Sequence, residues 1–389
     1  MIADLHAHYA FHLMPEAQRA MTLLRTARGR PLLRDRLRAR LLGLLSRLGS
    51  YESAHSGPRV TIGSMREGGV GALLSVLISP FDELDLERPY GAPPESGYVE
   101  SLLAQADLLE RDLADNHSTT ATLVHDAAEL EAARAEGRIA FVHCVEGGFH
   151  LGPTPEAVCE SVGRLARRGV AYVTLAHLVW RGVATNANAI PFIPDRLYRL
   201  AFPQPGRGLS ELGHAAVEAM VRERVLVDLS HMSATAVEET LTLLDELDPA
   251  QAVPVLATHG GCRFGRQEYM LDERALRRIG ARQGVVGLIF AEHQMLNGLR
   301  RATPRSFDES FEVLCAHIDQ IQELTGSHRH AAIGSDLDGF IKPTLAGLAT
   351  MADMKRLEAA LIGRYGASDG ELIAAGNALR PLSSYWGAR

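Results

Sequence analysis

The sequence lacks paired-cysteine motifs, long apolar runs and an excess of basic residues. Its four cysteines, Cys144, Cys159, Cys262 and Cys315, show no CxxC spacing, which argues against a zinc knuckle or a redox dithiol and favours reduced thiols. No segment reaches the roughly 18 to 20 apolar residues of a transmembrane helix, and the first twenty residues show no signal-peptide pattern. We therefore expect a cytoplasmic protein without a transmembrane segment.

The charge balance argues against nucleic acid as a partner. Forty basic residues face 47 acidic ones, so the 389-residue chain carries a formal charge of −7, whereas binding to phosphates needs a basic surface. Hydrophobic residues make up 46% of the chain, enough for a large core. We expect one folded domain over residues 1–389.

Eight short apolar segments alternate with helical patterns. They begin at Ile2, Val70, Ile139, Val170, Val225, Ala252, Gly284 and Ala331. Such segments, separated by helices, are typical of parallel strands buried on both faces. Eight of these units predict an α/β fold, a TIM-type (β/α)8 barrel. The alternative is an open doubly wound sheet, but no GxGxxG or GxxxxGK[ST] turn follows a strand.

A helical insertion is expected at residues 12–58, between the first two strands. Leucines recur there at helical spacing, from Leu33 to Leu48, with arginines on the other faces. Such a helix packs its leucines on the barrel or a second subunit, or lies on a membrane surface. We favour packing.

Side chains with metal-ligand chemistry follow six of the eight strands. Active sites of TIM barrels lie at the carboxyl ends of the strands, and seven candidates stand there: His6, His8, Glu146, His177, His231, His259 and Asp336. Imidazoles combined with a carboxylate are typical zinc ligands. The pattern therefore predicts a metal site at one rim of the barrel.

Spacing separates these candidates from other histidines. His6 and His8 are two residues apart and share one face of a strand. Glu146 precedes two glycines, which leave its carboxylate free to bridge two ions. His143 does not share a face with Glu146 and is assigned a structural role. No spacing argument supports three further histidines that could reach the rim, His12, His150 and His293.

Several motifs together resemble a known family. The succession DLHAH, MREGGVGALLSV, VEGG, YVTLAH, VDLSHMS, ATHGGCR, HIDQI and IGSDLDG resembles the membrane (renal) dipeptidase family of the amidohydrolase superfamily. The resemblance runs from the first strand to GNALR near residue 380, outside the insertion. It implies a TIM barrel with two zinc ions that hydrolyses dipeptides, including those with a D or dehydro residue at the C-terminal side.

The resemblance also implies a role for each candidate. His6 and His8 would hold one ion, Glu146 would bridge both, and His231 with His259 would hold the second.

In the same family pattern, His177 would contact substrate and polarise its carbonyl, and Asp336 would transfer a proton. An arginine after the sixth strand would bind the substrate carboxylate. Arg266 fits best by its distance from His259, and Arg263 is the second choice.

One position departs from the family, which usually carries HxD where this chain has His6 and His8. The substitution keeps a competent ligand but removes one negative charge, which should make the metals more electrophilic.

The predicted function is hydrolysis of a dipeptide, a small-molecule substrate, by a metal-bridging hydroxide. The alternative, favoured by His8 and by the insertion, is a related hydrolase acting on another amide, an N-acyl amino acid or a lactone. A non-catalytic barrel is a third hypothesis. A homodimer is expected by analogy.

Overall fold

A computed structural model describes residues 1–14, 57–83, 88–190, 193–339 and 343–386, together with Leu37 and Arg40. The insertion expected at residues 12–58 lies mostly outside the described residues, so its helical content and the single-domain assignment stay predictions. In the described part of the chain, no helix combines the length and apolarity needed to cross a bilayer.

In these described ranges, nine strands form one parallel sheet. They are β1 Ile2–Ala7, β2 Val70–Leu77, β3 Ala121–Leu123, β4 Ile139–Glu146, β5 Tyr172–Thr174, β6 Leu226–Asp228, β7 Val255–Gly260, β8 Val285–Leu288 and β9 Ala331–Ile333. Because β2 pairs with both β1 and β4, and β1 pairs with β9, all strands except β3 close into an eight-stranded ring. The predicted barrel is confirmed, and each of its strands falls in a predicted segment.

Helices connect most of these strands. The described α-helices are α1 Ile62–Glu67, α2 Pro80–Glu83, α3 Tyr98–Asn116, α4 Ala127–Ala135, α5 Pro155–Arg167, α6 Asp195–Ala201, α7 Glu211–Glu223, α8 Ala234–Leu247, α9 Glu273–Ala281, α10 Glu292–Met295, α11 Phe307–Thr325, α12 Met354–Glu371 and α13 Asn377–Ser384. Short 3₁₀ segments occur at Ala10–Leu13, Gly148–Leu151, His328–His330 and Met351–Asp353, and a π-turn at Leu372–Gly376.

Side-chain caps fix where several helices begin. Thr154 accepts a hydrogen bond from the backbone N–H of Ala157 at the start of α5, and Asp272 and Ser306 do the same for α9 and α11. Each cap satisfies a backbone donor that the first helical turn leaves free. These caps therefore define the first turn of each helix.

Alternation along each strand separates two apolar layers. On β4, Val142 and Cys144 face the barrel interior, whereas Phe141 and Val145 pack against the surrounding helices. The interior layer also contains side chains of α13 such as Leu382, which packs among the same residues. The barrel is therefore filled with side chains.

Close backbone approach requires glycine at one interior position of the barrel wall. A Cβ atom added to Gly334 would lie 1.7 Å from the carbonyl oxygen of Thr258 and 3.1 Å from the Cα atom of Gly287. Both contacts involve backbone, which cannot move aside without shifting a strand.

We expect Gly334→Ala to lower the free energy of unfolding by about 3 kcal/mol, because the added methyl group overpacks the barrel wall. Gly363→Ala is the matched control, since Gly363 lies exposed in α12 with nothing near its missing Cβ; alanine there should be neutral or stabilising. Chemical denaturation of both variants tests this expectation, and equal stability of the two would contradict it.

Candidate functional site

The barrel places all seven candidate side chains at the carboxyl ends of its strands. His6 and His259 lie within β1 and β7, Glu146 is the last residue of β4, and His8 follows β1 directly. The other three, His177, His231 and Asp336, each stand three residues beyond the end of a strand. All seven are at most 7% exposed.

Glu146 lies at the centre of this group. Its Oε1 atom is 3.1 Å from Nε2 of His231, 3.2 Å from Nε2 of His259 and 3.4 Å from Nε2 of His6. Its Oε2 atom is 3.5 Å from Nε2 of His177 and 3.7 Å from Nε2 of His8. Five imidazoles from four strands therefore present the same ring nitrogen to one carboxylate.

Asp336 completes the group on the side of β1. Its Oδ1 atom is 3.0 Å from Nε2 of His8 and 3.9 Å from Nε2 of His6. The backbone N–H of Asp336 donates to the carbonyl of His6, and the N–H of His8 donates to the carbonyl of Leu337. These backbone bonds fix Asp336 beside both histidines.

The hydroxyl of Thr258 determines the tautomer of two histidines. It donates its one hydrogen to Oδ2 of Asp228 at 2.8 Å, so it can only accept from its other neighbours. Those neighbours are Nδ1 of His6 at 3.1 Å and Nδ1 of His259 at 2.9 Å. In their neutral forms, both rings therefore carry the proton on Nδ1 and turn an Nε2 lone pair towards Glu146.

Tyr172 supports the same tautomer of His6. Its hydroxyl donates to the carbonyl of Leu5 at 2.9 Å and lies 2.9 Å from Nδ1 of His6, so it accepts from the imidazole. Nε2 of His6 is buried and has no hydrogen-bond partner in the described ranges of the chain.

The arrangement fits divalent cations. Imidazole lone pairs and carboxylate oxygens all accept, and a cluster of buried acceptors is costly unless a positive ion lies among them. Three sets of ligand atoms lie within 4.8 Å of one another: His6, His8 and Asp336; Glu146, His177 and His231; and His6, Asp228 and His259. The oxygens of Asp228 already accept from Thr174, Ser230 and Thr258, so its part is to position ligands.

The electrostatics of the site suit ligand binding. Burial alone would raise the pKa of Glu146, but the surrounding histidines outweigh it and hold this pKa well below its usual range. Burial lowers the pKa of His231 to about 4. At neutral pH the site therefore offers an ionised carboxylate and a neutral imidazole, the forms that bind metal.

Backbone strain occurs at two of the candidates. His231 and Asp336 adopt positive φ angles of 66° and 54°, a region that costs a non-glycine residue roughly 1 kcal/mol or more. Gly147, directly after Glu146, has φ of 97°, so the VEGG motif needs glycine there.

Glu83, at the end of α2, is a site residue that the sequence analysis missed. Its Oε2 atom is 2.6 Å from Nδ1 of His177, and its Oε1 atom accepts from the N–H of Val179 at 2.9 Å. Burial alone would lower the pKa of His177, but Glu83 and Glu146 outweigh it and raise this pKa to about 9. Glu83 therefore orients His177 and favours its charged form.

Three other histidines make contacts outside the cluster around Glu146. His143 points away from the site and contacts Glu110 at 3.0 Å, as strand alternation predicts. His150 is buried and bonded to Gly147 and Ser79, and His12 contacts Asp338 at 2.5 Å.

The structure does not bring the candidate arginines to the metal-ligand cluster. The side chain of Arg266 is exposed, and its backbone N–H donates to Asn297 at 3.0 Å. Arg263 donates from its side chain to the carbonyls of Met270 and Glu268.

A cavity opens onto the cluster. It is lined by His8, Glu146, His177, Leu178, Ala189, His231, Tyr269, Ile289, His293, Gln294 and Asp336. Of these, Tyr269 donates to the carbonyl of His259 at 2.9 Å. Glu83, Tyr269 and Gln294 carried no sequence signal, because each lies in a loop or short helix whose path the strand pattern does not specify.

We expect Glu83→Gln to lower the pKa of His177 from about 9 to about 7 in the metal-free protein, because the variant removes the contacting negative charge. Titration of isotopically labelled histidine by NMR measures it. Glu110→Gln, which alters the matched pair with His143 away from the site, should leave His177 unchanged. A His177 pKa that stays near 9 in Glu83→Gln would contradict the assignment.

Comparison with known proteins identifies relatives of the chain. It is 31% identical over 280 residues to an uncharacterized dipeptidase of Schizosaccharomyces pombe, covering 71% of this chain and 59% of that protein. It is 24% identical over 306 residues to the dipeptidase verJ of Clonostachys rogersoniana, covering 78% of this chain and 70% of that protein.

Solved structures share the fold. Dipeptidase AC, a metallopeptidase of family M19, matches with a TM-score of 0.71 at 20% identity, over 100% of this chain and 99% of that chain. A metallopeptidase from Rhodobacter sphaeroides, bound to a phosphinate mimic of the dipeptide L-Ala-D-Ala, matches with a TM-score of 0.69 at 20% identity over 99% of both chains.

The family match agrees with the resemblance seen in the motifs. The sequence model of the membrane dipeptidases, peptidase family M19, matches residues 39–385 of this chain. Strand β1, with His6 and His8, precedes the matched region. The chain therefore belongs to the membrane dipeptidases of peptidase family M19 and is a hydrolase of the metallopeptidase class.

Proposed function

We propose that the protein is a zinc-dependent dipeptidase that hydrolyses the peptide bond of dipeptides, including those with a D or dehydro C-terminal residue. The observation that carries the proposal is the convergence of five imidazole Nε2 atoms on the Glu146 carboxylate, within 3.1 to 3.7 Å. Family membership supports the reaction class.

Two divalent ions would be held by five residues of this chain. His6 and His8 would bind one, His231 and His259 the other, and Glu146 both. Zinc suits a set of imidazoles and a carboxylate. When bound, such ions supply Lewis acidity, which activates water near neutral pH and polarises a carbonyl.

The chain's own residues complete the reaction. Asp336, 3.0 Å from His8, would take a proton from the attacking water and pass it to the leaving amine, which must be protonated to depart. His177, held by Glu83 with Nε2 towards Glu146, would donate a hydrogen bond to the scissile carbonyl oxygen.

A second candidate function is hydrolysis of another amide, an N-acyl amino acid or a lactone. One observation favours it: no arginine or lysine stands among the described residues that line the cavity, so neither side chain is placed there to bind a free terminal carboxylate. Arg266 stays a prediction for that role, as do the homodimer and the cytoplasmic location.

A substrate panel tests the proposal. Zinc-loaded protein should hydrolyse at least one L,L- or L,D-dipeptide in preference to N-acyl amino acids and lactones. Asp336→Asn should reduce turnover about 1,000-fold with metal content unchanged, because it removes the proton carrier but keeps the shape.

Three outcomes would contradict parts of this account. Turnover of N-acyl amino acids or lactones alone would favour the second function. Inert zinc-loaded protein would overturn both. Loss of metal from Asp336→Asn would make Asp336 a ligand rather than the proton carrier.

A further inference from the structure

Two residues on the cavity wall carry buried polar atoms without a hydrogen-bond partner among the residues that the structure describes. His293 and Gln294 lie in the short helix α10 after β8, and both line the cavity beside Asp336. Within the described part of the chain, both ring nitrogens of His293 and the Oε1 atom of Gln294 are buried without a hydrogen bond. Gln294 is 3% exposed.

The backbone holds these two residues in place. The N–H of Glu292 donates to the carbonyl of Pro343 at 3.0 Å, and the N–H of Gln294 donates to that of Ala291 at 3.2 Å. The carbonyl of Met295 accepts from Nε2 of His317 at 2.9 Å. The unpartnered atoms therefore belong to a fixed wall and not to a loose loop.

Buried polar atoms without partners are uncommon and costly, so their presence in a binding cavity indicates a ligand that satisfies them. Burial lowers the pKa of His293 to about 4, so at neutral pH the uncharged ring offers one donor and one acceptor. The amide of Gln294 offers both as well. The wall is therefore polar and neutral.

The position of the wall indicates which part of a substrate it meets. Strand β8 lies between β7 and β9 in the ring, so α10 adjoins the loop that carries Asp336. If Asp336 protonates the leaving amine, as the proposed function states, the leaving half of the substrate lies on this side.

We propose that His293 and Gln294 bind the leaving half of the substrate through uncharged hydrogen bonds, and that the enzyme accepts amides whose leaving residue ends in a carboxamide as well as a carboxylate. The inference rests on the proposed function for the direction of substrate binding. A charged arginine clamp would require the carboxylate, whereas neutral donors and acceptors satisfy either group.

Steady-state kinetics with zinc-loaded protein test the inference on two substrates, Ala-Ala and its C-terminal amide, or another dipeptide that the panel shows to be cleaved. In the wild type, kcat/KM for the two should agree within about tenfold. Gln294→Ala and His293→Ala should each raise KM about fivefold with little change in kcat, because one neutral hydrogen bond is lost.

Charge substitutions sharpen the test. Gln294→Glu should shift the ratio of kcat/KM for free acid to amide about tenfold towards the amide, through repulsion of the carboxylate, and Gln294→Lys should shift it about tenfold the other way. His328→Ala is the matched control, since His328 pairs with Asp369 and lies before β9, at the opposite end of the strand from Asp336; it should leave both KM and the ratio unchanged.

Different results would contradict this inference and the proposed dipeptidase function. If the wild type hydrolyses dipeptides but the Gln294 and His293 variants keep its KM and its acid-to-amide ratio, this inference is overturned and the proposed function stands. A wild-type preference above about 100-fold for the free acid, lost in Arg266→Ala, would overturn it in favour of the arginine. If no dipeptide is cleaved, the proposed function fails first, and the inference with it.

Discussion

The site depends on one hydroxyl proton. Thr258 donates its hydrogen to Asp228, and for that reason its oxygen can only accept from Nδ1 of His6 and of His259. Both Nε2 lone pairs then point at a carboxylate, Glu146, in a buried volume. Such an arrangement of acceptors is unfavourable without a positive charge among them. The hydrogen bonds that orient the ligands are therefore as important for cation binding as the ligands themselves.

The barrel supplies this geometry through connections between strands that are distant in sequence. Asp228 ends β6 and Thr258 belongs to β7, and the carboxylate joins them through both the backbone and the hydroxyl of Thr258. Asp4 likewise links β1 to the loop after β9, because its Oδ1 atom accepts hydrogen bonds from the N–H groups of His6 and Ser335. Burial raises the pKa of Asp4 to about 6. Ligand positions are therefore built into the strand ends, while the walls come from loops.

The strand pattern of the sequence predicted site residues within or just beyond the strands, but not those that longer loops and short helices bring to the site. The period of the apolar segments and the polar residues at six of the eight strand ends were sufficient to predict the barrel and the grouping of His6, Glu146 and His259. Glu83 could not be found in this way, because its contact with His177 joins residues 94 apart through a four-residue helix. Arg266 lies in the loop after β7 with an exposed side chain, so its contact with a substrate carboxylate stays a prediction.

We have proposed that Glu146 and the histidines around it hold two metal ions. Metal analysis of purified protein after dialysis against zinc, compared between wild type and Glu146→Gln, tests it most directly. The account predicts about two zinc ions per wild-type chain, and loss of at least one from the variant, because the shared carboxylate is removed while its shape is kept. Wild-type protein without stoichiometric metal, or a variant that retains both ions, would contradict it.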